Sequence, residues 1–390
     1  MVNLRARHGF TLAELLVATA VTIVALGLAV SLLHPVSVAF HTLPEAVDAQ
    51  QRLRVAAQAL ADDIVEAGAG PVLGWAARAG PVWPAVLPCR WAGEPLATRA
   101  IACAERDAIT LLAVPAASAQ ALVAGDLTTT GGAIGVAALS ACALTQPACR
   151  FHDDGRALVA DGSGAWDLVR LSGVSIDGAA LEHAGSPVTR LYAAGAIIAE
   201  SGTVAYSLRV DPATHVSQLK RSADGTVDMP VLDHLTVLRF EYFGRAEPPA
   251  VFDDGDLLRR RTSYGPLPPP AGVDEPLDAW PAGENCQFFR VDGALSARQA
   301  PLPVESGGLA RLPLSAFVDG PWCPDGASLN RYDADLLRIR LVRITLRVQA
   351  QSPAVRGLDA QLFGQPGSAR ESARLVPDLE VRTDASLRNR

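Results

Sequence analysis

The chain has 390 residues, of which 49% are hydrophobic, so it is long and apolar enough for two domains or one heavily elaborated domain with a substantial core. Its formal net charge is -7, and its basic residues, all arginine except Lys220, are scattered without a block of five or six, which argues against nucleic acid as the main partner. Six cysteines (Cys89, Cys103, Cys142, Cys149, Cys286 and Cys323) form an even set suited to an oxidising compartment such as the periplasm.

Met1 to Gly9 is polar and carries Arg5, Arg7 and His8. From Leu15 to Leu33 no residue is charged, a length that lets a helix cross a bilayer. The two arginines lie on the short side, so the positive-inside rule keeps that end cytoplasmic and sends the rest outward. A secretory signal would place its small-residue cleavage site after the apolar run. Here the distinctive sequence precedes the run: Gly9-Phe10-Thr11-Leu12-Ala13-Glu14-Leu15-Leu16. Glu14 is the anomaly, because a charge at the centre of a membrane helix costs about 2.5–3.5 kcal/mol, less near an end, and such residues have partners. Cleavage between Gly9 and Phe10 would create one, a new α-amine on a neighbouring subunit.

These eight residues closely resemble the GFTLxELL prepilin signature of type IV pilins and type II secretion pseudopilins. The resemblance implies that Gly9 ends a leader, that Phe10 becomes the N-methylated first residue, and that Glu14 is the glutamate of the fifth mature position. It also implies a prepilin peptidase/N-methyltransferase, other minor and major pilins and an inner-membrane assembly platform as partners.

Beyond the apolar run, Pro35 and Pro44 predict a kink or break. Thr42-Leu43-Pro44-Glu45 reads as a capping box, with Thr42 as N-cap and Glu45 at N3. From Glu45 to about Ala67, Val47, Leu53, Leu60 and Ile64 recur near helical spacing, and Gly68, Gly70 and Pro71 end the pattern. The words LADDIVEAGAG (Leu60 to Gly70) resemble the end of this helix in PilW-type minor pilins. Residues 71–105 are rich in Gly, Pro and Trp and read as loop. Strands are predicted at Ile109–Val114, Leu168–Val174, Thr203–Val210, Val216–Arg221, Val231–Phe243 and Leu336–Val348. In the last, Leu337, Ile339 and Leu341 share one parity while Val342, Ile344, Leu346 and Val348 share the other. One extra residue near Leu341, a β-bulge, would restore a single buried face. Arg338, Arg340, Arg343 and Arg347 would then line the opposite side, either as a solvated face or as a contact with acidic groups of a neighbouring subunit. Between Gly244 and Gly326 lie nearly half of the 28 prolines, which predicts an inserted subdomain or an irregular lobe.

The cysteine spacings invite the pairs 89–103, 142–149 and 286–323, yet six cysteines permit 15 connectivities. Two acidic turns, Asp153-Asp154-Gly155 and Asp253-Asp254-Gly255-Asp256, are ordinary turn sequences. Asp253, Asp254 and Asp256 are the better, though weak, candidate for calcium. No GxSxG, HExxH, P-loop or strand-to-helix GxGxxG is present, so no enzyme, catalytic residue or cofactor is expected. The segment Thr189–Ser222 and the pair Leu232–Tyr242 with Leu336–Val348 also resemble PilW and pseudopilin J heads, and the ending Leu387-Arg388-Asn389-Arg390 resembles that of PilW-type proteins. The resulting expectation is an α+β, pilin-like chain in which a long N-terminal helix packs on a mainly antiparallel head with a large irregular insertion. Its parts are a leader (1–9), a transmembrane part of the helix (10–34), a periplasmic amphipathic part (35–68), a β-rich head (69–243), a Pro-rich insertion (244–330) and closing strands with a tail (331–390). The function implied is that of a minor type IV pilin acting in pilus assembly, single-pass in the bacterial inner membrane with a periplasmic head and then part of a filament. The alternatives are a minor pseudopilin J of type II secretion and a membrane-anchored periplasmic enzyme or ligand-binding protein.

Overall fold

The computed structural model describes residues 11–70, 83–91, 104–115, 118–130, 132–137, 148, 150–161, 166–175, 177–183, 188, 190–224, 227–252, 261–262, 264, 268, 280–323, 331–370 and 375–387. The chain is α+β, with one long apolar helix at its N-terminus and mainly antiparallel sheets after it. It forms two units, one of Met1–Arg52 with Gln349–Leu379 and the other of Leu53–Val348 with Glu380–Arg390.

The helix, α1 (Leu12–Glu66), runs unbroken through Pro35 and Pro44, against the sequence expectation. A proline inside a helix forgoes one backbone bond, but breaking the helix would orphan several more polar groups. Thr42 is therefore interior and caps no helix, and Glu45 does another job: its Oε1 accepts the backbone N–H groups of Gln351 and Ser352. Leu53, Ala56, Ala57, Leu60, Ile64 and Ala67 are buried at helical spacing, whereas Val47, expected among them, is 59% exposed. Gly68 ends the helix with φ +76°, a left-handed conformation costly for any residue with a Cβ, and its N–H bonds the Leu112 carbonyl at 2.8 Å.

Strands β1 (Val86–Leu87) and β2 (Ala108–Ala113) open a five-stranded sheet. The chain then leaves it to build a closed six-stranded barrel from β3 (Gln120–Val123), β4 (Ile134–Ala137), β5 (Arg156–Ala160), β6 (Trp166–Val174), β7 (Ala180–His183) and β8 (Ile197–Glu200). Around the barrel the order is β3-β4-β7-β6-β5-β8, and the interior is filled by Ala121, Val136, Val159, Leu171, Leu181 and Ile198 among others. The sheet resumes with β9 (Gly202–Val210), β10 (Ser217–Ala223) and β11 (Met229–Asp233), in the order β1-β2-β9-β10-β11. Ala113 lies opposite Gly202, so the barrel enters and leaves at one cross-strand pair.

The predicted strand Val231–Phe243 is two strands, because His234 takes φ +59° and ends β11 before β12 (Leu235–Arg245) begins. The Pro-rich stretch supplies β13 (Val251–Phe252), β14 (Arg261–Thr262), β15 (Phe288–Val291), β16 (Ala294–Ala297), β17 (Leu309–Leu312) and β18 (Trp322–Cys323). After β19 (Tyr332–Asp333) and a 3-10 turn at Ala334–Arg338 come β20 (Ile339–Val348) and β21 (Leu379–Ser386). A four-stranded sheet runs β17-β12-β20-β21, so one strand of the Pro-rich stretch belongs to it.

The β12–β20 register contains the expected bulge: Phe243 faces Leu341 and Gly244 faces Ile339, leaving Arg340 as the extra residue. Ile339 is buried before it and Val342, Ile344, Leu346 and Val348 after it, while Leu341 is turned half outward. The arginine side corrects the sequence reading. Arg338 is 1% exposed, ion-paired to Asp335 at 3.2 Å, and donates to the Ala300 carbonyl. Arg343 forms two parallel bonds, 2.8 and 2.9 Å, to Asp384 on β21 of the same chain, over the ring of Phe243. For Arg343 the side is thus neither simply solvated nor left to a neighbouring subunit, because the acidic partner comes from the same chain.

Asp63 Oδ2 accepts from the Tyr206 hydroxyl at 2.6 Å and from Arg221 Nε at 3.0 Å, tying the helix to β9 and β10. Replacing Asp63 with Ala leaves both donors without this acceptor and is expected to cost about 2–4 kcal/mol, read as a lower urea midpoint of the detergent-solubilised chain. At the bulge, a Cβ on Gly244 would sit 2.3 Å from the Arg338 carbonyl oxygen. Gly244→Ala is accordingly expected to lose about 1–3 kcal/mol, measured in the same denaturation assay.

Candidate functional site

The first described residues of the helix form a capping box. Thr11 Oγ1 accepts the Glu14 N–H at 3.2 Å, and Glu14 Oε2 accepts from the Thr11 N–H at 2.9 Å and from the Thr11 hydroxyl at 3.0 Å. Two N–H groups that a helix terminus leaves orphaned are satisfied in this way, and the carboxylate sits at the positive end of the helix dipole. The sequence signal for it is Thr11-Leu12-Ala13-Glu14 ahead of an apolar run, the same Thr-x-x-Glu pattern as Thr42–Glu45. Gly9 and Phe10 lie outside the described residues.

From this cap, Leu12–Ser31 is long and apolar enough to cross a membrane, and none of it is buried within the protein. A stretch of this kind serves as a membrane anchor or a signal sequence. Its few hydroxyls turn back onto their own helix: Thr19 donates to the Leu16 carbonyl at 2.9 Å, Thr22 to Ala18 at 2.7 Å and Ser31 to Leu28 at 2.8 Å. This leaves a surface of alkyl groups with no side-chain donor pointing outward, which suits hydrocarbon better than water.

Of the cysteines, Cys286 and Cys323 form a disulfide with a Cα–Cα distance of 5.1 Å, pinning the turn before β15 to β18 across 37 residues. Cys89 is also disulfide-bonded. Cys103, Cys142 and Cys149 lie outside the described residues, as do Asp253, Asp254 and Asp256. His152 pairs with Glu200 at 2.9 Å on the surface.

A cluster that sequence reading missed gathers beside the disulfide. Asp319, Asp333 and Asp335 place a carboxylate oxygen each within 4.8 Å of one another. Asp333 accepts the N–H groups of Gly320 at 2.7 Å, Asp335 at 2.8 Å and Asp319 at 3.2 Å, while Asp335 takes Gln299 Nε2 at 3.0 Å and pairs with Arg338. The oxygens of Asp333 and Asp335 are thus engaged in fastening a turn. Burial pushes the Asp333 carboxyl up to about 7, against the opposing pull of the Asp335 and Gly320 N–H groups. No spacing in the sequence marks this group, since Asp319 meets Asp333 only through the pairing of β18 with β19.

The chain matches no protein-family model, no curated protein and no solved structure.

The raised Asp333 has a defined thermodynamic consequence. The folded form holds a proton that the unfolded form has lost above about pH 4, so this group's contribution to stability falls as pH rises toward 7. Asp333→Asn is expected to flatten that part of the profile, compared by thermal melting of both proteins between pH 4.5 and 7.5. An unchanged slope would contradict the assignment.

Proposed function

We propose that this chain is a minor pilin of the PilW type, inserted in the bacterial inner membrane with its head in the periplasm and incorporated into a type IV pilus after removal of residues 1–9. One observation carries the reading: Gly9-Phe10-Thr11-Leu12-Ala13-Glu14-Leu15-Leu16 runs into a helix whose first 20 residues, apolar enough to cross a membrane, have no burial within the chain. The same helix supplies Leu53, Leu60 and Ile64 to the core of the β-rich unit. A polymerising stem and a partner-selecting head on one helix is the division of labour such a subunit needs.

In this mechanism cleavage after Gly9 frees the α-amine of Phe10, which is then methylated. As the stem leaves the bilayer, Glu14 meets that amine on an adjacent subunit. The Thr11 bonds occupy Glu14 Oε2, so Oε1 is the oxygen offered to an incoming cation. An uncompensated carboxylate among packed apolar helices is costly, and the pairing therefore fixes register. A head of more than 300 residues, built with an inserted barrel and disulfides, suits an initiating or capping position better than a repeated place in the shaft.

The mature N-terminus tests the reading directly: mass spectrometry is expected to find a chain beginning at N-methyl-Phe10, and an intact Met1 would overturn it. Gly9→Val is expected to block leader removal. Glu14→Val is expected to be cut normally yet enter filaments poorly, and normal piliation in that strain would count against the pairing.

A further inference from the structure

Each of the two larger sheets ends in two edge strands, and three of the four are blunted. Strand β1 has two residues. Strand β11 carries Pro230 and a break in its register with β10. Strand β17 has four residues, and Val304 bridges to its Ala310. Short edges, prolines and irregularities of this kind keep a sheet from pairing with another chain. The fourth edge, β21, has eight residues and contains no proline, glycine or lysine.

Two contacts fix the register of β21 on β20. The Leu387 N–H donates to the Arg340 carbonyl at 2.9 Å, and Asp384 meets Arg343. Both pairs belong to one antiparallel alignment, which sets Val381, Thr383 and Ala385 opposite the buried Leu346, Ile344 and Val342. Backbone N–H and C=O groups point to alternate sides along a strand. The odd-numbered residues therefore bond β20, while Glu380, Arg382, Asp384 and Ser386 aim their backbone groups away from it. All four are exposed, and no described strand lies on that side.

We propose that this edge pairs antiparallel with β21 of a second copy, about a twofold axis at Thr383, so that the two four-stranded sheets become continuous. A symmetric strand pair must bring outward-facing residues together, which leaves few registers. An axis at Arg382 would set that arginine against its own copy and Glu380 against the partner's Asp384, like charges in both cases. An axis at Thr383 instead sets Arg382 opposite the partner's Asp384 and Glu380 opposite the partner's Ser386. Axes nearer either end shorten the overlap. The order Glu-x-Arg-x-Asp along the strand is thus complementary to itself when reversed, which is the reason for a second copy rather than a foreign strand. Arg382 has the freedom to make the new contact, since its side chain is 70% exposed and held only by Glu380 at 3.0 Å. On the other face Thr383 meets Thr383 and Val381 meets Ala385, pairs that suit adjacent strands.

The inference makes no use of α1 as an anchor or of a place in a pilus, and its test reads β21 alone. In detergent, the full chain carrying Thr383→Cys is oxidised and run on a non-reducing gel beside the wild type. Directly opposite, non-hydrogen-bonded positions lie about 4.5 Å apart between Cα atoms, within disulfide range, so a linked dimer is expected. Glu380→Cys and Ser386→Cys are expected to link poorly alone and well when mixed. Arg382→Pro removes an N–H that faces the second copy and spares the bonds to β20, and it is expected to lower the Thr383→Cys yield about tenfold. Arg382→Glu, which sets like charges opposite, is expected to act in the same direction and serves if the proline variant fails to fold. Linking at Thr383→Cys no better than at Leu191→Cys, an exposed position on the barrel, would overturn the proposal and leave the edge to a strand of another protein. Linking of Glu380→Cys to itself as readily as to Ser386→Cys would overturn the register. A dimer in sedimentation that survives Arg382→Glu unchanged would place the contact on another surface.

Discussion

One carboxylate organises the β-rich unit. Asp63 faces inward from the last turn of the helix and receives both the Tyr206 hydroxyl and the Arg221 guanidinium, side chains of neighbouring strands in the five-stranded sheet. Its neighbour Asp62 is exposed and takes a bond from Gln58 on the helix surface. Two adjacent aspartates thus do opposite work, separated by the 100° turn between successive helical residues. Burial together with the Asp63 bond holds the Tyr206 hydroxyl far above its ordinary pKa, so it remains a donor at any physiological pH. Gly68 and the Ala69 carbonyl then stitch the end of the helix to β2, and the sheet takes its position from that junction.

What could be read in advance follows from range along the chain. The helix, most long strands and the bulge at Arg340 are local patterns: period, parity and the switch between parities are visible in ten consecutive residues. The division at His234 was hidden, because a left-handed histidine in a run of Val, Leu and Phe leaves no compositional trace. The barrel was hidden for a different reason. β3, β4 and β7 have four residues each and are rich in Ala and Gly, so they are too short to display a period. Their burial arises from closure between segments as distant as β3 and β8.

The same distinction applies to the candidate sites. Glu14 could be singled out because a charge within an apolar run is a local contradiction, and its Thr11 partner is three residues away. The Cys286–Cys323 link was one of the pairs that spacing suggested, but only the fold selects it. The arginines of the closing strand show the limit of pattern reading. Four were expected to share one open side, whereas Arg338 falls in a 3-10 turn and is buried, and Arg343 finds Asp384 some 40 residues later. Alternation reports which side of a strand a residue occupies and says nothing of what a later strand brings there.

The barrel's attachment has a consequence for how such a head can change. Its two ends join the host at Ala113 and Gly202, residues that are already partners across β2 and β9. Along the chain everything between them joins at a single rung of the ladder, with its own interior and no strand shared with the host sheet, and side chains such as Trp166 against Tyr332 and Arg156 on the Asp224 carbonyl seat it. A module held in that way can be lengthened, exchanged or deleted without rethreading the sheet or disturbing the grip of Asp63. Change within the barrel is therefore uncoupled from the contact by which Asp63 holds the helix.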